Sequence, residues 1–365
     1  MDLWKIRSTL KTASNVLDAL SSPDGPLTAK NALSIIFERR FSTLEGYHST
    51  WDYYELCSYE DFPSLRRKKM IPILSNGNKL CLHLYEQPCP KGIFLCVHGL
   101  MGLSEDSSSC IHDYLFRQGY DVAALDLTSS GRSEGLGVKG LSQSALDIAA
   151  AVSYLKRSSL SSLPLFLLGH SWGAYGVSAS LAFDQSPLAV FELAGFKDPV
   201  AIMTALPSFY VKVDLSFTEP MLREAMKERD PEYAFLSAKE AVEKAKNVYC
   251  VLIQGDQDKV VVPTSALANA RFKRNGIERI EMKGRAHGDV MMSLDSVNYL
   301  AKAKEMNASF YEKYKKNPGK MSQEEKLAFY SSFDKRMTSV LDETLFGRIV
   351  AIADSFSKKA LPRRK

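Results

Sequence analysis

The chain has 365 residues, 45% of them hydrophobic and 24% charged, enough for one large soluble globular domain or two modest ones. Its formal net charge of +5 is small for that length and gathers partly in Lys358, Lys359, Arg363, Arg364 and Lys365, which argues against nucleic acid as the main partner. The six cysteines include no C-x-x-C pair, so they form neither a zinc nor a disulfide framework, and no run approaches the roughly 18 apolar residues of a membrane span.

Residues 1 to about 65 read as a helical N-terminal extension. Leu3, Ile6, Leu10, Leu17 and Leu20 share one apolar face at helical spacing, with Trp4 on or near its edge. That face suits packing against the body or a second subunit, with weak membrane-surface contact as the alternative. Ser21 to Pro26 breaks the pattern, and a second helix is expected over 29–41. The start lacks a basic segment followed by a continuous apolar stretch, so no signal peptide is expected and a reducing cytoplasm is the expected location.

From Lys69 the pattern changes. Two strand-like runs, 69–74 and 79–85, flank Ser75-Asn76-Gly77-Asn78, a hairpin turn. Apolar strand runs then follow at 92–97, 122–127, 165–168, 188–194, 248–254 and 277–282. Helical stretches alternate with them at about 106–118, 141–157, 173–184, 264–275 and 293–315. Such alternation predicts an α/β fold: a mostly parallel sheet with helices on both faces. The core is expected over 66–196 and 248–315. The intervening 197–247, broken by Pro199, Pro207, Pro220 and Pro231, is too long for a plain connection and reads as a helical cap. A charged helical C-terminal tail is expected over 316–365.

Chemistry collects where these strands end. Gly169-His170-Ser171-Trp172-Gly173 is a G-x-S-x-G sequence between a strand and a helix, a tight turn that lifts a serine clear of the sheet. A serine hydroxyl needs an adjacent base, and a carboxylate must orient that base. Of six histidines only His287 follows Ser171, and it lies in a glycine-flanked loop. For the acid, Asp256 and Asp258 compete at the end of one strand. Asp258 is preferred because apolar Val260-Val261-Val262 follows it, and Asp198 stands third. Acyl transfer also needs N–H donors for an oxyanion. These are expected from Trp172 and from Leu100 in the loop His98-Gly99-Leu100-Met101-Gly102. His98 and His170 read as loop and elbow residues rather than bases, and Asp126 to Gly135 as a polar loop that could buttress the elbow.

Together His98-Gly99, Asp126 with Gly131-Arg132-Ser133, the elbow around Ser171, Gly255-x-x-Asp258 and His287 resemble the α/β-hydrolase superfamily. The Gly-His-Ser elbow is similar to the branch of serine aminopeptidase-like enzymes, monoacylglycerol lipases and lysophospholipases. The resemblance spans about 70–300. It implies an acid three residues after a glycine, which favours Asp258, and a small-molecule ester or acyl substrate with no metal or organic cofactor. Ser129 stands where the family usually has the first glycine of its loop. Trp172 stands where the lipases commonly have methionine, and Ala286 where a glycine often precedes the histidine. An ester hydrolase is the leading reading. An amidase or aminopeptidase, and a non-catalytic binding protein on the same fold, are the alternatives, and oligomeric state stays open.

Overall fold

The computed structural model describes residues 30, 33–34, 36–41, 57–105, 108–211, 216–314 and 322–360. The apolar helix expected over residues 3–20 lies outside them. Residues 30, 33, 34, 36 and 37 are helical, and Leu33, Phe37 and Phe41 are buried in the main core.

Eight strands form one sheet: β1 (Lys69–Ser75), β2 (Asn78–Tyr85), β3 (Ile93–Val97), β4 (Asp121–Leu125), β5 (Leu165–His170), β6 (Ala189–Leu193), β7 (Tyr249–Gly255) and β8 (Ile277–Met282). Their spatial order is β1-β2-β4-β3-β5-β6-β7-β8. β1 and β2 pair antiparallel, as do β2 and β4, and every later neighbour is parallel. The hairpin turns where Asn76 and Gly77 both take positive φ, 47° and 85°, the geometry that matches strand twist. All residues of β3, β4 and β6 are buried. Helices cover both faces of these central strands, so their sequences are continuously apolar instead of alternating.

One face carries α2 (Gln143–Arg157) and α3 (Trp172–Ala179). The other carries α1 (Ser109–Arg117) and a C-terminal helix. Between β6 and β7 lie α4 (Pro199–Val211), α5 (Glu219–Arg229) and α6 (Ala238–Lys244); α7 (Leu294–Glu312), α8 (Gln323–Ser331) and α9 (Glu343–Ala360) follow β8. On the α1 face, the Phe94 ring lies 5.0 to 5.8 Å from those of Tyr120, Phe166 and Phe191. α9 adds Leu345, Phe346, Ile349, Val350, Ile352 and Ala353 to the same buried cluster. Their three- to four-residue spacing gives one apolar stripe.

One expected element is corrected. The helix predicted over about 264–275 is a single 3-10 turn, Leu267–Asn269, between extended residues Ala266 and Ala270. Its alanines favour helix, but this segment crosses the end of β6. Lys197 donates its N–H to Ser265 O, and Leu267 donates to Gly195 O. Those long-range backbone bonds outweigh local propensity.

Candidate active site

Ser171 sits between β5 and α3 at φ 57° and ψ −115°, a conformation that costs a non-glycine residue on the order of 1–3 kcal/mol. Its neighbours show why the turn needs glycine. A β-carbon on Gly169 would lie 2.4 Å from Gly173 O, and one on Gly173 would lie 2.5 Å from the carbonyl oxygens of Val97 and His98. The turn is therefore locked between its own next turn and the end of β3, and Ser171 Oγ is raised at the carboxyl edge of the sheet.

Ser171 Oγ lies 2.7 Å from His287 Nε2, and His287 Nδ1 lies 2.8 Å from Asp258 Oδ2. The three groups come from β5, the loop after β8 and the loop after β7. Asp258 is buried. Its Oδ1 accepts the N–H groups of Val260 and Val261 at 2.8 and 2.9 Å, and its Oδ2 accepts Gln254 Nε2–H at 2.8 Å. Burial pushes this carboxyl up, but the His287 charge and hydrogen bond together with the two N–H groups hold it below the ordinary aspartate range. An ionised Asp258 fixes His287 with Nδ1–H towards it, leaving Nε2 to face the serine.

The competing aspartates are placed elsewhere. Asp256 accepts the N–H of Gly284 at 2.7 Å, and Asp198 accepts that of Ala201 at the start of α4 at 2.8 Å.

Sequence reasoning missed what holds the His287 loop. His170 Nε2 donates to His287 O at 2.8 Å. Arg285, 3% exposed, donates to Met292 O and Lys283 O at 2.6 and 3.0 Å and pairs with Asp342 at 3.1 Å. The segment leading into α9 thus anchors the loop that carries the histidine. A β-carbon on Gly255 would lie 2.3 Å from Arg285 O, so the glycine three residues before Asp258 is where the two loops touch. The arginine was visible in the sequence, but its partner lies 57 residues away in a segment with no recognisable motif.

On the other side of Ser171 lies the loop after β3. A β-carbon on Gly99 would lie 3.1 Å from Ser171 Cβ. The residue of this loop that takes a positive φ is Met101, at 63°. His98 is buried; its Nδ1 donates to Gly99 O at 2.7 Å while Nε2 accepts Leu127 N–H at 3.2 Å. Burial lowers its pKa, so the ring is neutral and braces the loop against the end of β4. Trp172, 1% exposed, donates Nε1–H to Leu141 O at 2.6 Å.

Asp126 does more than the sequence suggested. Its carboxylate accepts the N–H groups of Ser104 at 3.1 Å and Arg132 at 2.9 Å, and meets His83 Nε2 at 3.0 Å. Arg132 in turn pairs with buried Glu105 at 2.7 Å, which also pairs with Lys68. The loop after β3 is therefore tied to the loop after β4. Cys81, His83 and Asp126 offer potential metal-ligand atoms within 4.8 Å of one another. The carboxylate already takes three N–H groups, a satisfied ion pair rather than an open ligand set.

The sheet order and the elbow between β5 and α3 define an α/β-hydrolase fold. A model of the serine aminopeptidase family matches residues 88–196, the segment holding β3 to β6 and Ser171 but neither Asp258 nor His287. No curated protein sequence matches the chain. Among solved structures, an esterase of Pyrococcus furiosus is 15% identical with a TM-score of 0.47, covering 72% of this chain and 94% of its own. A Butyrivibrio proteoclasticus esterase with ferulic acid bound is 19% identical with a TM-score of 0.46, covering 60% and 91%. A thioesterase domain from the curacin biosynthetic pathway is 18% identical with a TM-score of 0.43, covering 67% and 98%. Residues 88–196 are thus similar to the serine aminopeptidase family, within a sheet that has the α/β-hydrolase order. Among its described residues no helix is long and apolar enough to cross a membrane.

Proposed function

We propose that this protein is a serine hydrolase that cleaves carboxylic esters through an acyl-enzyme on Ser171. The observation that carries the reading is the unbroken chain Ser171 Oγ, His287 Nε2, His287 Nδ1, Asp258 Oδ2, with links of 2.7 and 2.8 Å. His287 Nε2 takes the Ser171 proton as Oγ attacks the ester carbonyl, and Asp258 stabilises the resulting imidazolium. The oxyanion accepts N–H bonds from Leu100 and Trp172. Collapse of the intermediate breaks the C–O bond, and His287 gives its proton to the departing alkoxide. Water, deprotonated by the same nitrogen, then attacks the acyl-enzyme to release the carboxylate and restore Ser171. No step calls for a metal or organic cofactor. A cytoplasmic setting belongs to the proposal, supported by Cys96, Cys110 and Cys250 as buried thiols of the core.

Amide cleavage is the second reading, favoured by the description of the matching family model. It calls for an acidic anchor for a substrate amine in the cap. There Glu219 is paired with Arg223 at 2.7 Å, Glu228 with Lys30 at 2.6 Å, and Glu232 accepts Tyr233 Oη–H. These three carboxylates are engaged, which favours the ester, whereas Glu224, the fourth candidate, forms no ion pair among the described residues. The apolar cap residue Ile202 is buried in the core, and the side chains of Phe209, Tyr210 and Val211 lie outside the described residues, so acyl length is a matter for measurement. Hydrolysis of p-nitrophenyl esters from acetate to palmitate, blanked with Ser171→Ala, tests the reading. Turnover above the blank is expected, with an optimum that reports pocket depth; turnover equal to the blank at every length would overturn it.

A further inference from the structure

The N-terminal segment reaches the site through the residue next to the serine. Phe41, 6% exposed, packs edge-on against Trp172 with ring centroids 5.6 Å apart at 81°. Its own N–H donates to Ser129 O at 2.8 Å, and Ser129 Oγ donates to Arg39 O at 3.0 Å. Arg40 spans the carbonyls of Gly131, Ser133 and Gly135 at 2.5 to 3.3 Å. Phe37 O accepts Val138 N–H at 2.9 Å, and the chain passes so close that a β-carbon on Gly137 would lie 2.4 Å from that oxygen.

The departure at position 129 has a use in this arrangement. Ser129 holds φ 69°, a conformation that glycine adopts without strain. A serine there carries a backbone cost, and its hydroxyl supplies a bond to the N-terminal segment that glycine lacks. The indole of Trp172 is held on one side by Leu141 O and on another by Phe41. Trp172 is the first residue of α3, so the seat of its indole sets where its backbone N–H points. A displacement of a few tenths of an ångström matters to a donor that must meet an oxyanion at hydrogen-bond distance.

We propose that Phe41 is a positioning residue: seated by Ser129, it fixes the Trp172 indole and so aims the Trp172 N–H at the oxyanion. The inference rests on the assignment of Ser171 and its oxyanion donors made above. It applies to the full chain and makes the N-terminal segment part of the site.

The test compares Phe41→Ala with Phe37→Ala, another buried residue of the same segment, whose ring contacts do not include Trp172, and with Phe41→Leu, which keeps most of the bulk. Steady-state ester hydrolysis, thermal midpoint and the rate of fluorophosphonate labelling are read for each. Phe41→Ala is expected to lower kcat by about tenfold, less than the loss of a whole oxyanion donor, with KM changed by less than about twofold. Phe41→Leu should recover part of that kcat, while Phe37→Ala should lower the midpoint and leave kcat near wild type. Equal kcat losses in Phe41→Ala and Phe37→Ala at matched stability, or a loss confined to KM, would overturn the positioning role. Should Phe41→Ala not fold, Phe41→Leu carries the same comparison against Phe37→Ala. Wild-type protein that neither turns over ester nor takes the label at Ser171 would instead overturn the underlying assignment, and this inference with it.

Discussion

Among the described residues two histidine–aspartate pairs stand in similar surroundings, and they differ in what lies beyond the ring. His287 meets Asp258 at 2.8 Å and His83 meets Asp126 at 3.0 Å. Both aspartates are buried and both accept two backbone N–H groups. The difference lies at the second ring nitrogen. His287 Nε2 faces a serine hydroxyl at 2.7 Å at the edge of the sheet, whereas His83 Nδ1 is sealed within the protein with no partner among the described residues. Burial pushes His83 down, but Asp126 and the neighbouring Cys81 outweigh it and raise its pKa to about 9. These partners favour the imidazolium–carboxylate form of that pair. It has no free lone pair facing a nucleophile, so it cements two loops and cannot take a proton from a substrate. A carboxylate beside a histidine is thus only half of a catalytic arrangement; the other half is what the far nitrogen meets.

The largest expected effect separates the pairs. His287→Gln should lower kcat by about 10⁴-fold or more, as loss of the base does in such triads, with the thermal midpoint little changed. His83→Gln should do the reverse. It leaves Asp126 buried without its cation, a loss of about 3–5 kcal/mol of stability, while kcat per folded molecule stays within a few-fold. Calorimetry alongside steady-state kinetics reads both. Two variants that moved the same quantity would erase the distinction.

A smaller effect sharpens it. The His287 loop is anchored from outside by the Arg285–Asp342 ion pair. Asp342→Asn should lower kcat a few-fold, roughly three to ten, because a base slightly out of place loses part of its reach. Its KM should hold. An unchanged kcat would show that His170 and the backbone bonds suffice to hold the loop.

The smallest effect is in pH. His83 has its folded pKa raised from 6.5 to about 9. Its contribution is therefore complete below about pH 6.5 and fades as pH rises through 9. The difference in thermal midpoint between wild type and His83→Gln should be greatest near pH 6 and should narrow by pH 10. A difference constant across that range would mean the pair is not charged in the folded protein.

Much of this was legible in the sequence because it depends on local rules. The strands announced themselves through apolar runs, and the elbow through two glycines whose β-carbons would strike backbone. Chain order pointed to His287, and the apolar run after Asp258 to that acid, which the family resemblance also implied; the structure brings Ser171, His287 and Asp258 into hydrogen-bond range. What stayed hidden depends on distant partners. Asp126 was visible as a polar loop residue, but its bond to His83 joins the end of β4 to the middle of β2, and no periodicity reports that. Arg285 finds Asp342 in a stretch without a motif, and Ser129 binds Arg39 some ninety residues back. The alanine-rich run after Pro263 misled for the same reason: its conformation is set by backbone bonds to Gly195 and Lys197, not by its own composition.

The most direct test of the account is intact-mass measurement of the full-length protein after reaction with a fluorophosphonate, with the adduct located by peptide mapping. The account predicts a single adduct on Ser171, absent from Ser171→Ala and formed far more slowly by His287→Gln and Asp258→Asn than by His83→Gln. An adduct formed equally by Ser171→Ala, or wild-type protein that takes no label, would contradict it.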